Sequence, residues 1–133
     1  MYHSITIVGN LGKNPEMRYT PSGQAVTNFS VASTREYSRS DGERVKETTW
    51  FRVSTWGKQA EACNQYLGKG SKVLVVGTLN PDEHGGPRIW GDPPRASFEV
   101  TASTVRFLSS RQDSGMEQEH DGQEVPPADD MPF

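Results

Sequence analysis

Residues 49–58 read Thr-Trp-Phe-Arg-Val-Ser-Thr-Trp-Gly-Lys, and their alternation decides how the rest of the chain is understood. In an extended strand, successive side chains point to opposite faces. Trp50, Arg52, Ser54 and Trp56 then share one face, and Phe51, Val53 and Thr55 the other. The second set has the character of a core face. The first places a guanidinium between two indoles and is too polar in the middle to make a good core. Aromatic plates interleaved with a cation suit stacked bases and neutralised phosphates. A tryptophan taken alone is highly buried as a rule; the parity shared with Arg52 favours a binding face.

The chain has the length of one domain with a tail. Its hydrophobic content of 32 % is low for a fully folded domain and implies a disordered portion. No apolar run approaches the roughly 20 residues of a membrane span, and the first residues lack the basic and apolar regions of a signal peptide. A membrane role is not expected. The single cysteine, Cys63, excludes an internal disulfide and a cysteine-rich metal site, and fits a reducing cytoplasm. The net charge of −3 hides an asymmetry: residues 1–112 hold all 14 Lys and Arg with 10 of the 17 acids, a balance of +4. Residues 113–133 hold the other 7 acids and no Lys or Arg, a balance of −7. A mildly basic body with an acidic tail is compatible with a nucleic-acid partner, which the pI alone would have argued against.

Working outward, residues 4–9 alternate as a strand with Ile5 and Ile7 inward, and Gly9 marks a bulge or sharp bend. Asn14-Pro15 and Pro21-Ser22-Gly23 are turn signals around a short extended piece at Met17, Arg18 and Tyr19. Residues 25–34 form a second strand, and Asp41-Gly42 turns a long polar hairpin back into the stretch quoted above. Residues 58–67 are the helix candidate, with Ala60, Cys63 and Leu67 on one face and Gly68 as a stop. Residues 71–79 are a nearly continuous apolar strand, buried on both sides or bent at Gly77. Residues 80–94, with four prolines and three glycines, read as a loop in which Arg88-Ile89-Trp90 makes a short edge or hairpin segment. Residues 96–102 and 104–108 read as a final strand or strand pair. Five strands with one helix between the third and fourth is the order of an OB-fold barrel; an SH3-like barrel or a small α+β sandwich also fits the pattern. The expected division is a domain over residues 1–111 and a disordered acidic tail over 112–133.

Gly9-Asn10-Leu11-Gly12, Pro15-Glu16, Arg18-Tyr19, Trp50-Phe51-Arg52-Val53, Gly57-Lys58-Gln59-Ala60-Glu61, Tyr66-Leu67, Lys69-Gly70 and Gly77-Thr78-Leu79, in that order, resemble the bacterial single-stranded DNA-binding protein family, whether encoded by a bacterium or a phage. The closing Asp129-Asp130-Met131-Pro132-Phe133 resembles that family's acidic tip. The resemblance implies an OB-fold, a homotetramer, no enzymatic activity, and protection of single-stranded DNA in replication, recombination and repair. It places Trp50 and Trp56 on stacking positions, and Arg18, Arg52, Lys58 and Lys69 on or beside phosphate-facing ones. Tyr37 falls near another aromatic contact, and Trp90 stands in for the aromatic of the loop before the last strand. That loop begins Asn80-Pro81-Asp82-Glu83 where basic residues are expected. Phe51 stands where a histidine is common, near a subunit contact, and implies a more apolar interface.

The residues offer no catalytic constellation, cofactor motif or metal cluster: Asp82-Glu83-His84 are adjacent on a loop and do not converge on one point. Tyr66 reads as packing on the helix, and Tyr19 stays open. The tail reads as more than a solubilising end. Its acids lack compensating bases, and Pro132-Phe133 offers an apolar ring beside a terminal carboxylate, which a basic, apolar pocket on a replication or repair protein can take. Two other functions fit the residues: an RNA-binding OB module, or an oligomeric scaffold with the aromatics buried between subunits.

Overall fold

The computed structural model describes residues 1–109. Seven strands and one helix follow in the order β1 (Ile5–Leu11), β2 (Glu16–Tyr19), β3 (Ala25–Ser38), β4 (Arg44–Trp56), α1 (Gly57–Tyr66), β5 (Lys72–Leu79), β6 (Arg88–Trp90) and β7 (Arg95–Phe107). Five of them close a barrel. β1 pairs antiparallel with β5, β5 with β7, β7 in parallel with β4, and β4 antiparallel with β3. The ring shuts where β1 leaves β5 and pairs with β3 through Asn10↔Ala32 and Leu11↔Val31. The helix lies between the third and fourth barrel strands, which is the OB-fold arrangement. β2 extends the sheet beside β3, and β6 forms a hairpin arm on β7.

Closure depends on two glycines where backbones press together. A Cβ on Gly9 would sit 2.2 Å from the Ala32 carbonyl oxygen, and one on Gly77 would sit 2.1 Å from that of Thr101. The first is the bend expected of Gly9. The second lies at the register shift between Val76 and Gly77, where β5 kinks against β7. Of the two readings of β5, the bent one holds: Val73 and Val75 are buried, while Leu74 and Val76 on the other face are half-buried. A strand buried on both faces would need full cover on its outer side, and among the described residues Leu74 and Val76 are only partly covered.

The core gathers Ile7, Leu11, Phe29, Val31, Val53, Val73, Val75, Val100, Ala102 and Val105 with Cys63 and Leu67 of the helix segment. These are the inward parities of the strands, so the odd-numbered face of β4 is the core face. The helix closes one end of the barrel with Ala60, Cys63 and Leu67, all 0 % exposed. It is tied down by the Thr27 hydroxyl, which donates to the Ala60 carbonyl at 2.6 Å. Burial also pushes the Cys63 thiol up to about 11, because a thiolate there would lose its hydration.

β3 and β4 stay paired over thirteen residues, from Val26↔Trp56 to Ser38↔Arg44. Beyond the barrel this hairpin carries its own charge balance: Arg35 pairs with Glu47 at 2.9 Å, Arg44 with Glu36 at 3.1 Å and Arg39 with Glu43 at 3.8 Å. Arg95–Phe107 is one strand, not two.

Candidate nucleic-acid interface

Pairing places the even-numbered residues of β4 in register with their neighbours on a single sheet face. Arg18, Val26 and Trp56 form one row across β2, β3 and β4; Glu16, Asn28 and Ser54 form the next. Ser30, Arg52 and Glu99 form a third across β3, β4 and β7, followed by Ala32 and Trp50. With strands about 4.8 Å apart, each three-strand row spans about 10 Å, and the four strands β2, β3, β4 and β7 together about 15 Å. The Ser54 hydroxyl donates to Asn28 Oδ1 at 2.8 Å, fixing the polar floor between Trp56 and Arg52.

Arg52 stands where two open grooves meet. One, of about 200 Å³, is lined by Lys13, Asn14, Glu16, Asn28 and Ser30 besides Arg52. The other, of about 410 Å³, runs from Arg52 past Glu99 and Arg88 to Trp90 and the Asp82–Glu83 turn. Arg52 is exposed and has no ion pair or hydrogen-bond partner among the described residues. The same holds for the ion-pairing of Lys13, Arg18, Lys58 and Lys69, whereas Arg35, Arg39 and Arg44 at the far end of the β3–β4 hairpin are drawn into the pairs described above.

The site residues expected from the sequence separate in the structure. Trp56 is 43 % exposed and Trp90 38 % exposed; Trp90 lines the larger groove, while Trp56 shares the β4 face of Arg52 but lines neither groove. Trp50 shares the face but is only 7 % exposed. Its register partner is the small, buried Ala32; a small partner leaves room for a large ring to lie against the sheet, which parity does not register. Tyr37 belongs to the opposite parity of β3, with Phe29 and Val31, and does not join the row of Trp50 and Arg52. Its hydroxyl donates to Glu47 Oε1 at 3.0 Å and the Arg35 guanidinium lies 5.0 Å from its ring centre. The hydrogen bond from Arg35 Nε to Glu47 Oε2 at 2.9 Å and, second to it, the one from Tyr37 hold the Glu47 carboxyl below its ordinary range. Lys58 is exposed in the first turn of α1, next to Trp56. Lys69 is exposed after the helix, and its backbone N–H donates to Asn14 Oδ1 at 2.8 Å, which ties its loop to the smaller groove. Phe51 packs against the core and faces Phe98 with ring centres 6.0 Å apart.

Lys13, Arg88 and Glu99 line the grooves and were not singled out from the sequence as site residues. Lys13 directly follows the glycine-rich turn after β1, and Arg88 stands two residues before Trp90 on a strand; those two spacings were the available signals. Asp82 is engaged locally. Its Oδ1 accepts from the backbone N–H groups of His84 and Gly86, both at 2.9 Å, and these bonds hold its carboxyl below the ordinary value. Asp129, Asp130, Met131, Pro132 and Phe133, with the rest of the acidic segment, lie outside the described residues.

A closed barrel with a parallel junction between its third and fifth strands, capped by a helix between its third and fourth, defines an OB-type barrel, here with Arg52 at the junction of two open grooves. The match extends to sequence: the model of the "Single-strand binding protein family" covers residues 2–108, and the chain belongs to that family. It is 36 % identical over 114 residues to a single-stranded DNA-binding protein of Helicobacter hepaticus, covering 84 % of this chain and 64 % of that one. It is 32 % identical over 112 residues to one from Neisseria meningitidis, covering 84 % and 63 %. The chain thus spans a little under two thirds of the length of these two relatives. Among solved structures it is similar to a Plasmodium falciparum SSB in complex with ssDNA, with TM-score 0.69 and 25 % identity over 82 % of this chain and 96 % of that one. A deletion mutant of the Thermus aquaticus single-stranded DNA binding protein gives TM-score 0.64 and 28 % identity, over 81 % and 51 %.

Proposed function

We propose that this chain binds and protects single-stranded DNA as a binding protein without catalysis, in replication, recombination and repair. The observation that carries the reading is the unpaired Arg52 at the junction of two grooves, with the exposed Trp90 lining one of them and the exposed Trp56 on the same β4 face. Phosphates are neutralised by Arg52, Arg18, Lys13, Lys58 and Lys69, and bases stack on Trp56 and Trp90. Stacking on an aromatic ring tolerates any base, so sequence discrimination over most of the face is weak. Trp50 contributes from beneath, as the ring that shapes the floor beside Arg52.

Self-association into a homotetramer belongs to the same reading. Val8, 45 % exposed, stands in register with the half-buried Leu74, and Thr6 with Val76, so an apolar strip faces outward from β1 and β5. Replication and repair proteins are recruited through the acidic segment and its Asp129–Asp130–Met131–Pro132–Phe133 motif, in the cytoplasm. No described helix is long and apolar enough to cross a membrane. The test is a titration with oligo(dT) of increasing length at two salt concentrations, following tryptophan emission. Quenching that saturates, weakens with salt and is not displaced by duplex DNA supports the reading. Absence of quenching overturns it, and stronger competition by oligo(rU) redirects it to RNA.

A further inference from the structure

The larger groove contains a group that a phosphate track does not need. Glu99 sits between Arg52, its register partner on β4, and Arg88, whose Nε lies 3.4 Å from Glu99 Oε2. The Ser97 hydroxyl donates to that same oxygen at 3.1 Å. The side chain is 18 % exposed, so the carboxylate is held, and its other oxygen, Oε1, has no partner among the described residues. Trp90 and Ile89 border the same space, 38 % and 67 % exposed. A space of about 410 Å³ lies within the size range of small-ligand pockets. Its lining combines an aromatic ring, a positioned acceptor, the guanidiniums of Arg52 and Arg88, and the Asp82–Glu83 turn, whose Asp82 carboxylate is engaged by backbone N–H groups.

Each part has a different complement on a nucleotide. Arg52 suits the phosphate, Trp90 suits the face of the base, and a fixed carboxylate suits a base edge that presents N–H donors. Guanine presents two adjacent donors, N1–H and the N2 amino group, matching the two oxygens of a carboxylate. Cytosine presents one donor beside an acceptor. Thymine presents one donor flanked by two carbonyl oxygens, which a carboxylate repels. We infer that the groove beside Trp90 is a base-reading subsite in which Glu99 selects guanine over thymine on an otherwise sequence-tolerant face. Arg88 and Ser97 position Glu99. This inference rests on the single-strand reading above and adds a specificity to it.

The test uses the full chain and four 24-nucleotide probes in a lithium buffer: d(TTG)8, d(TTI)8 with inosine for guanine, d(TTC)8 and (dT)24. Fluorescence anisotropy is read at one fixed salt concentration. Wild type should bind d(TTG)8 about fivefold or more tighter than (dT)24, the low end for one bidentate pair. Inosine lacks the N2 amino group and should remove most of the gain, a comparison that needs no protein variant. Glu99→Gln should bring the four probes within about twofold of one another. Equal binding of all four by wild type overturns the inference. So does uniform tightening of all four by Glu99→Gln, which would mean that Glu99 only repels phosphate. Failure to bind any probe would sink the single-strand reading itself, and the subsite with it.

Discussion

Replacing Trp56 and Trp50 separately by alanine should dissociate binding from stability. The two indoles share a strand face, but one is 43 % exposed and the other 7 %. A tryptophan offers up to about 250 Å² of surface. The difference in exposure is then about 90 Å², which at about 25 cal/mol/Å² corresponds to about 2 kcal/mol. Trp50→Ala should lower the unfolding free energy by about 2 kcal/mol more than Trp56→Ala, placing it in the usual range of about 3–5 kcal/mol for a buried tryptophan. Trp56→Ala should instead lose a stacked base, worth about 1–3 kcal/mol or roughly fivefold to a hundredfold in affinity for oligo(dT). Urea unfolding read by circular dichroism gives the first quantity, and anisotropy with a labelled oligo(dT) at fixed salt gives the second. The reasoning fails if Trp56→Ala binds as wild type does while remaining folded. It fails equally if the two variants unfold at the same urea concentration.

Arg52→Ala should shrink the slope of log K against log salt by about 0.7, the contribution of one phosphate contact on a single strand, while Arg35→Ala leaves the slope unchanged because Glu47 already holds that guanidinium. Gly9→Ala and Gly77→Ala should each destabilise the barrel by at least about 2 kcal/mol in urea unfolding, since the added Cβ meets a backbone carbonyl that cannot step aside. The Cys63 thiol has its pKa raised in the folded state from 9.0 to about 11, so its contribution to stability is complete below pH 9 and is lost as pH rises through 11. Unfolding free energies measured from pH 8 to 11 should therefore fall more steeply for wild type than for Cys63→Ala. Removing residues 113–133, which carry seven acids and no base, should tighten oligo(dT) binding at low salt, where a tethered polyanion competes best for the cationic groove; unchanged affinity there counts against that competition.

The barrel was legible because its strands alternate and its turns announce themselves. Val53, Phe29 and Val31 fell on the inward parity, Asp41-Gly42 turned the hairpin, and Ala60, Cys63 and Leu67 marked the helix face. Residues 71–79 left two readings open, because an apolar strand looks alike whether covered on both faces or bent. Only the close approach of Gly77 to Thr101 decides it. The candidate face was legible as a parity but not as an exposure: Trp50 and Trp56 are equivalent by alternation, and the size of the residue opposite each is set by pairing across β3. Tyr37 was named through the family resemblance, and its parity on β3 sets it on the face opposite Trp50 and Arg52. Glu99 gave no signal because its relation to Arg52 exists only through the parallel β4–β7 pairing, 47 positions apart in the chain.

That same parallel junction has a consequence for how the molecule is made. The β3–β4 hairpin joins neighbours in sequence, and a chain emerging from its N-terminus can form it once Trp56 is free. β1 cannot find β5 until Gly77 has emerged, and neither β5 nor β4 gains its shared neighbour until β7 is complete at Phe107. Contacts of such long range are slow to form, because loop closure must precede any gain from pairing. A hairpin formed before β7 arrives would be a two-stranded ribbon of marginal stability, with Val53 and Phe51 uncovered on one side and Trp50 and Trp56 on the other. Its three self-contained ion pairs, Arg35–Glu47, Arg44–Glu36 and Arg39–Glu43, keep the far end of that ribbon charged and solvated while the rest of the barrel is still to arrive.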